Sequence, residues 1–200
     1  MILNFFKDLY DSLLKKTNRK LINDSSFVVT DSSNDLYYSL GYKSCWIAVK
    51  TSSISFNTIK DIFKELTSEL LVFESINGWT IISGETLPEL DGYKGSYTLL
   101  TILEELSITF GESQYFGNHR TVGYYAWVKF VKGEFIRGYA HLSEKGITFL
   151  DHGEELTTIE KRLFNELEGE SFLPDEDTVL SIAEDWSIIP EDLKKINHPI

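Results

Sequence analysis

The chain contains few of the residues that form cross-links and metal sites. Its 200 residues include one cysteine, four histidines and four prolines. A single cysteine excludes an intramolecular disulfide and a cysteine-rich zinc site. The histidines have none of the HxH, HxxxH or HExxH spacings that ligate metals, so we expect neither a metal ion nor a cofactor. Cys45 stands beside Trp46 in an apolar run, where a buried, unreactive thiol is expected.

Long hydrophobic runs are also missing. No segment approaches the roughly 18 uninterrupted apolar residues of a membrane-spanning helix. The stretch Met1–Lys16 does not resemble a signal peptide, because Asn4, Lys7, Asp8 and Asp11 interrupt it and no small-residue cleavage site follows. We therefore expect a cytoplasmic protein without a membrane partner.

Positive charge is scarce, and negative charge is concentrated in the last quarter of the chain. There are 31 acidic and 19 basic residues, giving a net charge of −12. Residues 151–200 hold fourteen of the acids and four of the basic residues. Such a field attracts basic partners and repels phosphate, so we expect a basic protein partner and no nucleic acid. The candidate steering residues are Glu166, Glu168, Glu170, Asp175, Glu176 and Asp177. A solvated, helix-capping face is the other interpretation.

The composition, 42% hydrophobic and 25% charged, is that of a globular protein. We expect a single α+β domain over residues 25–200, preceded by an N-terminal amphipathic helix over residues 1–24. The helix is indicated by apolar residues at three- and four-residue steps. It either packs on the domain's own sheet or reaches a partner or a second copy of the chain, which would make a homo-oligomer.

The hydrophobic pattern of residues 44–150 predicts strands and helices in alternation, after a short strand at Phe27–Thr30. Helical spacing runs over Phe56–Leu70 and Leu99–Phe110, the second helix ending at Gly111. The predicted strands are Ser44–Lys50, Leu71–Glu74, Trp79–Ser83, Gln114–Phe116, Val122–Val131, Glu134–Leu142 and Ile147–Leu150. Asn77-Gly78 indicates a hairpin, with a turn longer than two residues because Ser75 and Ile76 precede it.

Two further helices are expected in the acidic quarter. Thr157-Thr158-Ile159-Glu160 has the pattern of a capping box, and Asp175 is a suitable N-cap for a helix that carries Trp186. Pro190 can open a last helical turn. The whole pattern predicts an α+β fold with a mostly antiparallel sheet, helices packed on at least one face and helices at both termini.

Residues Phe110–Arg120 form the densest cluster of chemically useful side chains. The types of side chain needed for acid–base catalysis are present: a general base, a hydrogen-bonding amide and a cation. The candidate residues are Glu112, Gln114, His119 and Arg120. Neighbours alternate along a strand, so His119 and Arg120 cannot face the same way, whereas Glu112 and Gln114 can. The other interpretation is a helix cap, a tight connection and an ion pair between Arg120 and an acid. His119 and His141 could meet across neighbouring strands.

The string Phe110-Gly-Glu-Ser-Gln-Tyr-Phe-Gly-Asn-His-Arg120 resembles an uncharacterised bacterial protein family with the pattern Phe-Gly-Glu-x-Gln-Tyr-Phe-Gly-x-His-Arg. Gly78-Trp79-Thr80 and the segments Leu173–Glu176 and Trp186-Ser187 extend the resemblance, which covers about residues 44–190. The resemblance implies no activity, so it assigns no catalytic residue.

These observations favour a non-catalytic binding protein over an enzyme. The sequence contains no G-x-S-x-G, G-x-G-x-x-G or P-loop motif. An acidic, aromatic-rich domain can occlude a basic catalytic cleft, which is the role of an immunity protein that neutralises a bacterial toxin. The alternatives are an enzyme of unknown reaction with its site around residues 112–120, and an oligomeric scaffold or defence-system subunit that assembles through its N-terminal helix.

Overall fold

Within the residues that the structure describes, seven strands and four α-helices follow one another in the order that the hydrophobic pattern predicts. The computed structural model describes residues 43–64, 70–84, 87–91, 94–153, 155–165 and 172–189. The predicted N-terminal helix, the strand Phe27–Thr30 and the last helical turn at Pro190 lie outside the described residues. The elements are β1 (Lys43–Val49), α1 (Phe56–Ile62), β2 (Leu71–Ile76), β3 (Trp79–Ser83), α2 (Lys94–Phe110), β4 (Glu112–His119), β5 (Tyr124–Val131), β6 (Glu134–Leu142), β7 (Ile147–Gly153), α3 (Thr158–Asn165) and α4 (Glu176–Trp186).

All neighbouring strands of the sheet are antiparallel. The strand order is β2-β3-β1-β4-β5-β6-β7, so β4 occupies the centre. Strands β4 to β7 form a meander of consecutive hairpins, whereas β1 lies between β3 and β4. The α+β class and the antiparallel sheet are thereby confirmed for the described residues.

Helices cover both faces of the sheet, and each cover has its own core. Cys45, Ile47 and Val49 of β1 are buried with residues of α1 and α2, on what we call the α1/α2 face. Trp46 and Ala48 are buried with residues of α3 and α4, on the α3/α4 face. Because successive side chains of a strand point to opposite faces, a strand buried on both faces has a continuous apolar sequence. The predicted burial of Cys45 is confirmed, and its Sγ lies 3.4 Å from the Tyr115 hydroxyl.

The hairpin between β2 and β3 is tighter than its sequence suggests. Asn77 and Gly78 have φ angles of 55° and 82°, and Ile76 pairs directly with Trp79. The expectation of a longer turn is therefore wrong, because Ser75 and Ile76 belong to β2 beyond a bulge that follows Phe73. Positive φ at both central residues is the geometry of a type I′ turn, whose twist matches that of the strands.

Strand β4 extends well beyond the predicted Gln114–Phe116 and includes Gly117. Glycine usually weakens a strand, but here a Cβ would lie 2.7 Å from both the Tyr115 hydroxyl and a ring carbon of Tyr124. Gly117 therefore makes room for two tyrosine side chains that pack on the α1/α2 face.

A buried ion pair joins the sheet to α3. Arg137 of β6 donates from Nε to Glu160 Oε1 at 2.8 Å, and the same oxygen accepts from Trp127 Nε1 at 2.8 Å. Glu160 Oε2 accepts from the Thr157 backbone at 2.8 Å, while Thr157 Oγ1 accepts from the Glu160 backbone at 3.4 Å. This confirms the predicted capping box. One carboxylate therefore caps α3 and also attaches the helix to the sheet, with Arg137 further paired to Asp151 at 2.7 Å.

Replacing Glu160 by Ala should strongly destabilise the protein. The substitution leaves the buried Arg137 without its main partner, for which a loss of about 3–5 kcal/mol in the free energy of unfolding is expected. Urea titration followed by tryptophan fluorescence measures it. The matched control is Glu155→Ala, which removes an exposed carboxylate from Lys161 and should leave the urea midpoint unchanged. Equal midpoints for both variants would contradict a structural role for the buried pair.

Candidate functional site

Strand β4 carries two of the four candidate catalytic residues on one face of the sheet. Glu112 Oε1 lies 2.7 Å from Lys129 Nζ, and its Oε2 lies 3.7 Å from Lys50 Nζ. The fully buried Gln114 donates from Nε2 to Glu112 Oε1 at 2.8 Å and to the Trp186 carbonyl at 3.2 Å. Glu112 and Gln114 therefore lie next to each other on the same face of β4. Through the Trp186 carbonyl, Gln114 also connects β4 to α4.

The other two candidates lie at the far end of β4. His119 Nδ1 is 3.6 Å from Glu89 Oε1, and its register partner Tyr124 belongs to the α1/α2 face. At about 3.3 Å per residue, the seven steps from Glu112 to His119 span about 23 Å. The structure therefore separates Glu112 from His119 both in distance and by face.

Arg120 forms an ion pair with Glu176 at the N-terminal end of α4. Glu176 Oε1 also accepts from Asn118 Nδ2 at 2.8 Å. The ion pair thus joins a candidate catalytic residue, Arg120, to a candidate partner-binding residue, Glu176. The non-catalytic interpretation of Arg120 expects an ion pair of this kind with an acid. The four residues of the enzyme hypothesis thus occupy three separate places instead of one pocket.

His141 and His119 do not meet. His141 pairs in register with Tyr125, which packs on the α3/α4 face, whereas Tyr124, opposite His119, packs on the other. His141 is 4% exposed, and its Nδ1 lies 2.9 Å from Thr148 Oγ1. Across the part of the chain that the structure describes, no cluster of His, Cys, Asp and Glu side chains could hold a metal ion.

The six candidate steering acids differ in their surroundings. Glu166, Glu168 and Glu170 lie outside the described residues. Asp175 caps α4, with its Oδ1 accepting from the Thr178 backbone at 2.8 Å and from the Thr178 hydroxyl at 2.7 Å. Glu176 is held by Arg120 and Asn118, and Asp177 is exposed. Of the three described acids, Asp175 serves as the helix cap and Glu176 forms the ion pair. Asp177 is exposed and takes part in neither.

Helix α4 carries two more exposed acids that the sequence analysis did not single out. Glu184 and Asp185 lie in its last turn, where no basic residue accompanies them. Carboxylates are unfavourable at this end of a helix, because the macrodipole places partial negative charge there. Helix stability therefore gives no reason for these two charges. The sequence could have indicated these two acids, because they lie in the last predicted helical turn, just before Ser187.

A cavity of 320 Å³ lies between α3 and α4, beside the N-terminal end of the acidic helix. Its apolar wall includes Leu173, which is 63% exposed, and Asp175 and Asp177 lie at its rim. The other lining residues are Leu163, Phe172, Thr178 and Ser181. The outward side of α4 thus combines apolar surface at one end with carboxylates along its length. We call this region, with Leu173, Asp177, Glu184 and Asp185, the α4 surface.

Comparisons with known proteins add no assignment: no family model matches the chain, and no curated protein or solved structure shows significant similarity to it. Within the described residues, no helix has the length and apolar character needed to cross a membrane.

Replacing Asp175 by Ala should lower the free energy of unfolding by about 1 kcal/mol, because the N-cap of α4 is lost. Replacing its neighbour Asp177 by Ala removes only a favourable interaction with the helix dipole, for which about 0.5 kcal/mol or less is expected. Chemical denaturation of both variants measures the difference. Equal losses would contradict the division of these two acids into a capping residue and a surface residue.

Stability should depend on pH through His141. Burial lowers the pKa of this imidazole below its ordinary value of 6.5. Below pH 6.5 the unfolded chain therefore binds a proton that the folded protein resists, so stability is lost as pH falls through 6.5. Both proteins lose unfolding free energy equally through their carboxylates as the pH falls from 7.5 to 5. The wild type loses more in total, because only it contains the buried imidazole, so His141→Gln should show the smaller loss. Parallel pH profiles of the two proteins would rule out this role.

Proposed function

We propose that this protein is a non-catalytic binding protein that captures a basic protein partner through the α4 surface, and that its biological role is immunity against a bacterial toxin. The observation that carries the proposal is the exposure of Glu184 and Asp185 in the last turn of α4. Their charge opposes the helix dipole. Surface charges that reduce the stability of their own helix are best accounted for by recognition of an opposite charge.

The distribution of the other acids supports a local binding surface instead of a diffuse negative field. Glu160 and Asp151 are paired with Arg137, and Glu176 is paired with Arg120. Their carboxylates are partly or fully neutralised within the protein. On the outward side of α4, exposed carboxylates lie beside a cavity that Leu163, Phe172 and Leu173 line together with polar residues. Apolar contact area surrounded by charge is typical of an interface with a polar rim.

The positions of the candidate catalytic residues support a binding role over an enzymatic one. A general acid–base site needs its groups within hydrogen-bonding reach of one substrate. Glu112 and Gln114 contact each other, His119 contacts Glu89 on the opposite face, and Arg120 contacts Glu176. Nothing in this arrangement favours a second, catalytic function at residues 112–120.

Reversing the charge of Glu184 and Asp185 should separate binding from stability. The double variant Glu184→Lys/Asp185→Lys should unfold at the same or a higher urea concentration, because lysines suit the end of a helix. Its association rate with a basic toxin domain should fall by about tenfold or more, because electrostatic steering is lost. Stopped-flow association with a purified basic toxin domain, at low and at high salt, measures the effect.

The matched control is Glu134→Lys/Glu144→Lys, which changes the net charge equally at two exposed positions, one at the start of β6 and one in the connection from β6 to β7. It should retain nearly the wild-type association rate and protect cells that express the toxin. Equal loss in both double variants would show that net charge alone matters. Failure of the wild type to bind the toxin or to protect cells would contradict the immunity role.

A further inference from the structure

The cavity between α3 and α4 has an apolar wall that the core of the α3/α4 face holds in place. The ring centroid of Phe172 lies 4.0 Å from that of Phe164 and 6.2 Å from that of Tyr139. Leu163 and Phe172 are partly buried and pack against the same core. Leu173 follows Phe172 and is 63% exposed at the cavity. An aliphatic chain that enters the cavity therefore meets a preformed apolar surface, which lowers the cost of ordering on binding.

The helix side of the cavity supplies hydrogen-bonding groups. Asp177 and Ser181 both line it, and they lie one turn apart on the same side of α4. Asp177 is exposed and Ser181 is partly exposed. In the described part of the chain, neither side chain makes a hydrogen bond or an ion pair. Asp175 also lines the cavity, but its Oδ1 accepts from Thr178 as the helix cap. Asp177 is therefore the carboxylate that is available to a ligand.

We propose that this cavity receives an arginine side chain of the basic protein partner, an inference that rests on the proposed function and names the group recognised there. The aliphatic part of the arginine packs against Leu163 and Leu173. Its guanidinium group donates to the Asp177 carboxylate and to the Ser181 hydroxyl. Burial of the methylene groups supplies affinity. Arginine suits the site better than lysine, because its N–H donors form a planar fork that reaches two acceptors at once.

The charges of α4 favour a cation at the cavity and a second one further along the helix. The N-terminal end of a helix carries the equivalent of about +0.5 charge, which is smaller than the full negative charge of Asp177. Glu184 follows Asp177 by seven residues. At 1.5 Å per residue it lies about 10 Å further along the same side of the helix. The partner is therefore expected to carry a second basic residue about 10 Å from the arginine.

Two probes of matched shape test the recognition of arginine: N-acetyl-arginine amide and N-acetyl-citrulline amide, in which a neutral urea group replaces the guanidinium. Titration of the full chain, followed by NMR of the Leu163 and Leu173 methyl groups, measures both affinities. The arginine probe should bind about fivefold or more tightly, because hydrogen bonds between charged groups are stronger than those of a neutral donor. N-acetyl-lysine amide should bind with an affinity between the two.

Variants at two exposed positions assign the charge and the apolar contact to separate residues. Asp177→Asn should reduce affinity for the arginine probe about fivefold and leave affinity for the citrulline probe unchanged. Leu173→Ala should weaken both probes equally, by about twofold or more, because both lose the same apolar contact. The control Glu134→Gln, at an exposed position at the start of β6, should change neither affinity. Urea titration of each variant checks that it is folded.

Equal affinities for the arginine and citrulline probes would overturn the assignment of arginine. Absence of shifts at both leucines, at the highest soluble concentration of every probe, would overturn the site itself. Selective binding of the arginine probe that is lost in Asp177→Asn would establish the site, whether or not a toxin domain binds. The proposed function is tested separately by toxin association with the Glu184 and Asp185 variant, so failure of one is distinguishable from failure of the other.

Discussion

Burial of the sheet on both faces is the constraint on which the rest of the structure depends. Strands β1 and β4 lie at the centre, with α1 and α2 on one face and α3 and α4 on the other. A polar side chain on such a strand must find a partner within the protein, because an unpaired buried polar group is costly. Gln114 Nε2 and Arg137 Nε find such partners in α4 and α3. Buried polar groups therefore attach the helices to the sheet.

The same constraint confines exposed surface to the periphery of the sheet. Exposed charge and accessible apolar surface occur together where helices or connections leave the sheet. One such place is the outward side of α4, with Glu184 and Asp185 at one end and Leu173 near the other. The second is a cavity at the end of β4, β5 and β6, with Glu89 and Asp91 at its rim. Tyr124 of this cavity and the residues of α4 belong to different faces of the sheet.

Negative charge has different uses in different parts of the acidic quarter. Glu160 and Asp175 cap helices, and Glu160 also joins α3 to the sheet through Arg137. These two stabilise the fold. The exposed carboxylates in the last turn of α4 act against the helix dipole, which is why we propose a role in recognition for them. Net charge alone does not distinguish these uses, since every acid adds the same charge to the total. The contacts and the helix position of each acid distinguish them.

The sequence by itself determined the order of strands and helices, the helix caps at Thr157 and Asp175, and the burial of Cys45, because these follow from local periodicity and side-chain chemistry. It did not determine the full length of β4, since glycine is usually unfavourable in a strand and the two tyrosine side chains that fill the space beside Gly117 are visible only in the folded protein. Only the tertiary structure decided that β1 lies between β3 and β4, that Arg120 pairs with Glu176, and that Glu89 and Asp91 border an apolar cavity. Each of these depends on contacts between residues far apart in the chain, which no local pattern specifies.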